Sequence, residues 1–381
     1  MIKKTVVNRF VEGTVNAFGV RVTVRVTPEL DSSDMIATRM LTRLTKAWSD
    51  SPEPVTCLRE QPLVELGDVT ESNFEQIHSA MSTNVTLAAL KFHAGTSLML
   101  HAGGIAREDG RVAVIIGPSG RGKTTTVRHL GQHFGYVSDE TITITPTGEI
   151  LPYRKPLSVV TEGHTHKLQI SPSDLGLLPL PEAKLSLGSM VLLERAMNGE
   201  SESRISTMGF ARGIATAIEQ SSYLIELDRP LAVICAAAAS VGGIRLLTVG
   251  EQSRIHEVAE QLFENAPAPR WMRVMPVSRE QDSEQVAYLP AAVIDAVECE
   301  DGTVVFTESR RVIVLEGIGP QIWRAACLAE NWKELVARIE QHHGQAPNGD
   351  SKATIQSVAA DLLEAGVLGL PLGTEGISIH D

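Results

Sequence analysis

One short segment limits what this chain can fold into: residues 117–124, GPSGRGKT, match the pattern G-x-x-x-x-G-K-[ST]. Apolar residues 112–116 precede it and a helical pattern over 125–130 follows it, which is the strand–loop–helix context of a phosphate-binding loop. The glycines let successive backbone N–H groups point into one concavity at a helix N-terminus, and such a concavity binds anions. A glycine-rich turn that matches by chance is the alternative, but the flanking strand and helix favour a phosphate site.

The side chains of this loop have expected tasks. Lys123 can reach the β- and γ-phosphates of a nucleoside triphosphate, and the Thr124 hydroxyl is a ligand for Mg²⁺. We therefore expect ATP and Mg²⁺ as cofactors, while another triphosphate or pyrophosphate as donor stays open. The residues predicted to bind the nucleotide are Gly117, Pro118, Ser119, Gly120, Arg121, Gly122, Lys123, Thr124 and Thr125.

Two adjacent acidic residues follow the loop helix. Asp139 and Glu140 end a short predicted strand, and P-loop enzymes hold Mg²⁺ through a carboxylate at such a strand end. The pair is a candidate for metal binding and for general base catalysis, the alternative being a solvated strand end. Which of the two would be the base stays open. Arg154 and Lys155, in a stretch rich in Pro, Gly and Ser, suit either an anionic ligand or a solvated basic pair.

Composition excludes several classes of partner. The formal net charge is −12 and no segment concentrates Lys and Arg, so we expect neither a nucleic acid nor an anionic membrane surface as partner. The four cysteines are far apart and lack metal-ligand spacing, so the sequence implies no disulfide framework and no zinc site. The longest apolar run is too short for a membrane span and the N-terminus has no secretory h-region. We therefore expect a cytoplasmic protein.

The first predicted domain, residues 1–275, is an α/β unit. Residues 1–90 are β-rich and end in a segment with three- and four-residue apolar spacing, which predicts a helix. Residues 91–275 form the nucleotide-binding core. Within that core we expect helices over 208–220 and 253–265.

The second predicted domain, residues 285–370, has a different pattern. Two runs of alternating apolar and polar residues meet at Asp301-Gly302, which predicts a β-hairpin. A third strand and three helices follow, with Asn331 and Ser351 as candidate N-caps. This arrangement predicts a small winged-helix-like α+β domain, and residues 371–381 form a tail.

Three features of the central segment occur in the order found in a known family: His101 in an apolar strand, the loop at 117–124 and the acids at 139–140. Over about residues 97–158 the chain resembles the HPr kinase/phosphorylase family, and more closely the HPr-kinase-like proteins encoded with peptide-modification genes. The resemblance implies an α/β P-loop kinase domain with the mixed sheet shared with phosphoenolpyruvate carboxykinases. It also implies that Lys123, Asp139 and Glu140 are catalytic, that Thr124 and the acids hold Mg²⁺, and that His101 lies beside them in a catalytic or orienting role. A histidine of the core is the alternative for His101.

Residues from about 286 to 370 resemble the PqqD family, the leader-peptide recognition domains of ribosomal peptide natural-product pathways. The hairpin, the third strand leading into GIGPQIW at 317–323 and the closing helix carry this resemblance. It implies that an extended leader peptide adds to a sheet edge. The candidate edge strand consists of Arg311, Val312, Ile313, Val314 and Leu315. A DNA-binding winged helix is the alternative, and the lack of a basic recognition helix argues against it.

Together the two resemblances predict an ATP-dependent kinase that phosphorylates a Ser or Thr hydroxyl of a precursor peptide. The expected partners are the leader segment of that peptide and other enzymes of its pathway. HPr kinases are generally hexameric, so the resemblance also implies a homo-oligomer. Two alternatives stay open: a nucleotide-binding protein that delivers peptide without catalysis, and a small-molecule kinase.

Overall fold

The computed structural model describes most of the chain. The protein is a mixed α/β protein with several sheets. The described residues are 10–28, 34–53, 60–161, 163, 166–196, 201–264, 266–276, 286–347 and 349–371. Cys57 and the predicted tail beyond Pro371 lie outside them. Within these ranges no helix is both long enough and apolar enough to cross a bilayer.

Helices occur in both halves of the chain. The α-helices are α1 (Asp34–Lys46), α2 (Phe74–His93), α3 (Lys123–Leu130), α4 (Phe210–Glu219), α5 (Pro230–Ser240), α6 (Gly319–Cys327), α7 (Trp332–His343) and α8 (Ser351–Glu364). The helix expected over 253–265 is wrong in type, because two 3-10 helices, Gln252–Val258 and Glu260–Phe263, occupy that segment. Residues three apart share a face of a 3-10 helix, so Ile255 and Val258 are both buried there.

The strands are short, and most are shorter than seven residues. The first nine are β1 (Val11–Ala17), β2 (Val20–Val26), β3 (Leu63–Leu66), β4 (Leu98–Leu100), β5 (Ala102–Ala106), β6 (Arg111–Ile116), β7 (Gly135–Ser138), β8 (Ile142–Ile144) and β9 (Ile150–Leu151). The next six are β10 (Leu157–Val159), β11 (Leu168–Ile170), β12 (Ser186–Arg195), β13 (Arg204–Thr207), β14 (Ser221–Ser222) and β15 (Ile244–Val249). The last six are β16 (Trp271–Arg273), β17 (Leu289–Pro290), β18 (Val293–Cys299), β19 (Gly302–Thr307), β20 (Val312–Leu315) and β21 (Leu368–Gly369).

Contacts divide the chain into two units. The first comprises the described residues within Met1–Ser206, Gln220–Leu227 and Arg245–Asn265, and the second those within Thr207–Glu219, Asp228–Ile244 and Ala266–Asp381. Helices α4 and α5, which the sequence analysis assigned to the nucleotide-binding core, therefore group with the C-terminal hairpin and helices. The predicted domain boundaries at 1–275 and 285–370 are not tested by this division into units, and they stay a prediction.

The predicted phosphate loop, residues 117–124 of the first unit, follows β6 in the middle of a six-stranded sheet with the order β13-β15-β12-β6-β5-β7. Strand β6 runs parallel to β12 and antiparallel to β5. Residues 112–116 of β6 are fully buried, as expected for a strand covered on both faces. Helix α3 packs closely on β5, because a Cβ atom on Gly103 would lie 2.3 Å from a methyl of Val127.

A second sheet of this unit, in the order β14-β4-β8-β9, is antiparallel. The chain passes between the two sheets twice, once from β4 to β5 at His101 and once from β7 to β8 at residues 139–141. The two crossings are neighbours, since β4 pairs with β8 and β5 pairs with β7. We call this place, His101 and residues 139–141, the seam.

The N-terminal part of the first unit confirms the predicted β-rich segment and the helix that ends it. Strands β1, β2 and β3 form one sheet, in which β2 pairs antiparallel with β1 and parallel with β3. Helices α1 and α2 pack beside this sheet, and the residues buried between them include Leu44, Trp48, Met81 and Val85. Tyr153 joins the same core from the irregular stretch that follows β9.

The second unit contains a sheet with the order β16-β18-β19-β20. The predicted hairpin is confirmed, with Cys299 opposite Gly302 at its turn. The three predicted C-terminal helices are confirmed as α6, α7 and α8, which pack around the fully buried Trp323. Asn331 caps α7 in a capping box, as predicted. The N-cap prediction at Ser351 is wrong, because the Asp350 side chain accepts a hydrogen bond from the backbone N–H of Ala353 and caps α8.

Two aspartates of the sheet explain why α4 and α5 group with the second unit. Asp301, at the hairpin turn, accepts a hydrogen bond from the backbone N–H of Ala211 at the start of α4. Asp295 is fully buried in β18. It accepts a hydrogen bond from the backbone N–H of Leu231 at the start of α5 and forms an ion pair with Arg273. The first backbone N–H groups of a helix lack partners within the helix, so each aspartate stabilises a helix that is distant in sequence.

Candidate active site

The phosphate loop is built by local backbone requirements. Gly120 and Gly122 have φ values of +79° and +95°, in the left-handed region that residues with a Cβ atom rarely adopt. Gly122 directly precedes α3, so the loop leads straight into the N-terminus of the helix. Lys123 and Thr124 are the first two residues of α3. The loop therefore has the local geometry that the pattern predicted.

Lys123 is buried and points back onto its own loop. Its Nζ donates a 2.5 Å hydrogen bond to the carbonyl oxygen of Gly117. Burial lowers the pKa of Lys123 to about 8, and the charges of Asp139 and Glu140 oppose this shift without cancelling it. An anion bound in the loop would favour the charged form of Lys123.

The acidic pair lies at the seam. Asp139 is buried, and its Oδ1 accepts a 3.0 Å hydrogen bond from the hydroxyl of Tyr136. Burial, and after it the charge of Asp139, raises the pKa of Tyr136 well above its ordinary value, so the hydroxyl remains a donor. The Glu140 side chain is 37% exposed. One carboxylate is therefore held inside and the other faces the solvent side.

Lys155 bridges the two carboxylates. Its Nζ lies 2.8 Å from Oε2 of Glu140 and 3.8 Å from Oδ1 of Asp139. Burial opposes the charge of Lys155, but the nearby charges of Asp139 and then Glu140 outweigh it and raise the pKa of Lys155. Lys155 and Arg154 are 5% and 4% exposed. The interpretation of these residues as a solvated basic pair is therefore wrong.

His101 lies between β4 and β5, at the seam, and not within a strand. Its Nε2 is 3.2 Å from Oγ of Ser119 in the phosphate loop, and its backbone N–H donates to the carbonyl oxygen of Gln220 at 2.6 Å. Burial, and after it the charge of Lys123, lowers the pKa of His101. The imidazole is consequently neutral near pH 7 and can exchange a hydrogen bond with the Ser119 hydroxyl.

These groups line one cavity of about 510 Å³. Its lining includes His101, Ser119, Gly120, Gly122, Lys123, Thr124, Thr125, Asp139, Glu140, Lys155, Lys167 and Arg195, and also Ser79, Ser82 and Thr83 of α2. The predicted loop residues Gly117, Pro118 and Arg121 belong to the same turn. With four lysine and arginine side chains against two carboxylates, the cavity suits a polyanion.

A second cavity, of about 520 Å³, shares Thr124, Thr125 and Ser158 with the first. It extends along α3 and is lined in addition by Arg128, His129, Gln132, Leu157, Val159 and Val160. The apolar side chains come from β10 and the residue after it, and most of the polar ones come from α3. The two cavities together are large enough for a nucleotide and the group that it modifies.

The donor set suits Mg²⁺ bound together with a nucleotide. Thr124, Asp139 and Glu140 present hard oxygen atoms to one cavity, and Mg²⁺ in phosphate-transfer sites uses one or two carboxylates plus phosphate oxygens. Across the described part of the chain, no cluster of three or more His, Cys, Asp or Glu side chains could hold a metal ion. The oxygen atoms here would therefore complete a metal site only with a phosphate ligand.

The predicted peptide-binding residues belong to the second unit. Val312, Ile313, Val314 and Leu315 form β20, which pairs with β19 and is the outermost strand at one end of the described sheet. Arg311 precedes the strand and is exposed, and its carbonyl oxygen accepts from the backbone N–H of Thr307. The side chains at 312–314 are half-buried. The location of the strand is as predicted, and its binding of peptide stays a prediction.

The sequence did not predict Ser79, Ser82 and Thr83 of α2 as site residues, and it also missed three residues with ionisable side chains. Tyr136 lies in β7, directly before the acids, Arg195 ends β12 beside the loop at 117–124, and Lys167 precedes β11. Arg195 could have been found, because β12 is an apolar strand whose carboxyl end should lie next to that of β6 in a parallel pair. No signal in the sequence marks Tyr136 or Lys167.

Comparison with protein-family models and with curated proteins gave no match for the chain.

Proposed function

We propose that the protein is an ATP-dependent kinase with an HPr-kinase-like P-loop fold in its first unit. It transfers a phosphoryl group to a Ser or Thr hydroxyl of a ribosomal precursor peptide, and the second unit binds the leader segment of that peptide. The observation that carries this proposal is one cavity lined both by the glycine-rich loop with Lys123 and by two adjacent carboxylates. A site for phosphate binding alone needs no such pair, whereas transfer needs a metal ligand and a base.

The proposed reaction needs little covalent chemistry from the protein. The acceptor oxygen bonds to the γ-phosphorus, the bond from that phosphorus to the bridging oxygen breaks, and ADP leaves. The acceptor proton passes to Asp139 or Glu140. Lys123 and Arg195 provide positive charge beside the phosphates, and Mg²⁺, when bound, neutralises phosphate oxygens.

The two cavities supply room for both substrates. The nucleoside end of ATP would extend from Thr125 into the second cavity, along the apolar side chains of β10. The acceptor would enter from the side of α2, where Ser79, Ser82 and Thr83 line the first cavity. The exposed Lys167 is on the lining of that cavity and would meet acidic groups of a peptide.

Strand β20 supports a peptide rather than a small molecule as acceptor. An outer strand offers backbone N–H and C=O groups to an added strand, and leader peptides bind in this way. Half-buried apolar side chains at Val312, Ile313 and Val314 would meet alternate side chains of the leader. The peptide assignment rests on this edge and on the resemblance to PqqD domains.

The direct test mixes the protein with MgATP and the precursor peptide encoded beside its gene, and then measures the peptide mass. A gain of about 80 Da, for one phosphate, that is absent with leaderless peptide would support both parts of the proposal. Lys123→Ala should abolish the gain. The matched control is Lys184→Ala, whose side chain is 74% exposed and pairs with Glu149 away from the cavity. Full activity in Lys123→Ala would overturn the proposal.

The acidic pair separates transfer from binding. Asp139→Asn and Glu140→Gln keep the size of each side chain and remove its charge, so ATP should still bind while transfer falls by about 100-fold or more. Variants that transfer phosphate at the wild-type rate would contradict a role for the pair in transfer.

A second candidate function is nucleotide-dependent peptide delivery without transfer. The ion pair between Lys155 and Glu140 favours it, because a carboxylate held by an ammonium is not free to accept a proton from a substrate. Wild-type protein that binds both ATP and leader peptide, and adds no phosphate to any Ser- or Thr-containing precursor, would favour delivery.

A further inference from the structure

The unusual feature of the acidic pair is the cation already present there. Lys155 is 5% exposed, and its ammonium lies 2.8 Å from Glu140 and 3.8 Å from Asp139. Buried lysines are rare unless they are paired, and removing an ammonium from water is costly unless its partners are well placed. The two carboxylates are such partners, so the three groups form one charge cluster.

The segment that carries Lys155 is held in place. The Tyr153 side chain is fully buried, and its hydroxyl lies 3.2 Å from Oγ1 of Thr86. Arg154 donates hydrogen bonds to the carbonyl oxygens of Tyr136 at 2.6 Å and Leu178 at 2.8 Å. Tyr136 belongs to β7, which directly precedes the acids, so Arg154 ties the two segments together.

The residue after Lys155 restricts it further. Pro156 follows it in the chain, and a residue before proline is limited to extended backbone conformations. The backbone of Lys155 is therefore restricted, which narrows the region that its ammonium can reach. A flexible surface lysine would not be placed in this way.

This cation changes how a metal can enter the site. Asp139 and Glu140 alone would attract a free divalent cation through two negative charges. With the ammonium between them, and with Lys123, Lys167 and Arg195 on the same cavity, that attraction is lost. A metal that is already bound to a triphosphate brings negative charge with it and is not repelled.

We propose that Lys155 is a positioning residue that takes the place of the metal between Asp139 and Glu140 until MgATP binds, so that free Mg²⁺ has no site in the nucleotide-free protein. The inference rests on the proposed metal-dependent use of this pair. The inference adds a binding order to the proposed function, because the nucleotide and the metal must enter the site together.

The test measures Mn²⁺ binding by electron paramagnetic resonance, with the full-length protein and no peptide. Wild-type protein should bind Mn²⁺ at least about tenfold more tightly with ATP than without nucleotide, beyond what MnATP formation explains. Lys155→Met removes the charge and keeps most of the side-chain length, and it should bind Mn²⁺ without nucleotide at least about tenfold more tightly than wild type. Lys155→Arg keeps the charge and should behave as wild type.

Two results would overturn the inference. One is a wild-type protein that binds one Mn²⁺ without nucleotide as tightly as with ATP, which decides the question even where Lys155→Met does not fold. The other is a folded Lys155→Met variant that gains no Mn²⁺ binding. Neither measurement involves transfer, so a failure of the kinase proposal would be seen in the peptide mass and not here.

Discussion

Acid pH should destabilise the first unit through one buried histidine. His78 lies in α2, is 8% exposed and packs against the rings of Trp48 and Phe74, with centroids 5.8 Å and 5.4 Å away. Its Nε2 is buried with no hydrogen-bond partner among the described residues. Burial lowers the pKa of His78 from 6.5 to about 4, opposed only in part by a hydrogen bond to the backbone of Leu44.

The direction of the effect follows from which state binds the proton. The unfolded chain binds a proton at His78 near pH 6.5, while the folded protein resists until about pH 4. The stabilisation from the neutral ring is therefore present above pH 6.5 and is lost as pH falls toward 4. A shift of this size corresponds to about 3 kcal/mol in full, and to about 2 kcal/mol between pH 7 and pH 5.

The assay is urea unfolding at pH 7 and pH 5, followed by tryptophan fluorescence, in which Trp48, beside the histidine, reports on the first unit. His78→Phe keeps an aromatic ring and cannot be protonated, so it should lose about 2 kcal/mol less free energy of unfolding than wild type over this range. His133→Phe, which replaces an exposed histidine of the same unit, is the matched control. If His78→Phe and wild type lose the same free energy of unfolding, the reasoning is refuted. Because α2 also lines the cavity, transfer activity should fall over the same pH range.

Three further predictions concern single contacts. Asp295→Ala should reduce the stability of the second unit by about 3–5 kcal/mol, because the backbone N–H groups at the start of α5 and an arginine lose a buried carboxylate. Tryptophan fluorescence reports this unfolding, since three of the four tryptophans lie in this unit. A loss under about 1 kcal/mol would contradict the prediction. Gly103→Ala should lower the free energy of unfolding in urea by about 1–3 kcal/mol, because its Cβ atom would meet a valine of α3. The control Gly67→Ala, with open space around it, should leave this free energy nearly unchanged. Tyr136→Phe removes the donor to Asp139 and should slow transfer by about tenfold in the peptide mass assay; an unchanged rate would exclude a role for this hydrogen bond.

Local sequence signals determined the elements that depend on a few neighbouring residues. The phosphate loop was predictable because glycine at positions 120 and 122 permits backbone angles that other residues avoid, and Lys123 follows at a set distance along the chain. The hairpin at Asp301-Gly302 and the cap at Asn331 were also predictable from residues close together in the chain. In each case the cause and the structure lie within one turn of the chain.

Tertiary structure alone decided which of these elements meet. No local signal places His101 near the acids, and only the family resemblance implied that position; two neighbouring crossings between sheets bring these residues together. Lys155 could be either solvated or buried until its segment was packed against Tyr136 and Leu178. Helix α4 was predictable as a helix, but its place and that of α5 were set by carboxylates of a distant sheet. The physical reason is common to all three: a charge or a helix end is stabilised by whatever partner the fold brings near, and that partner can lie anywhere in the sequence.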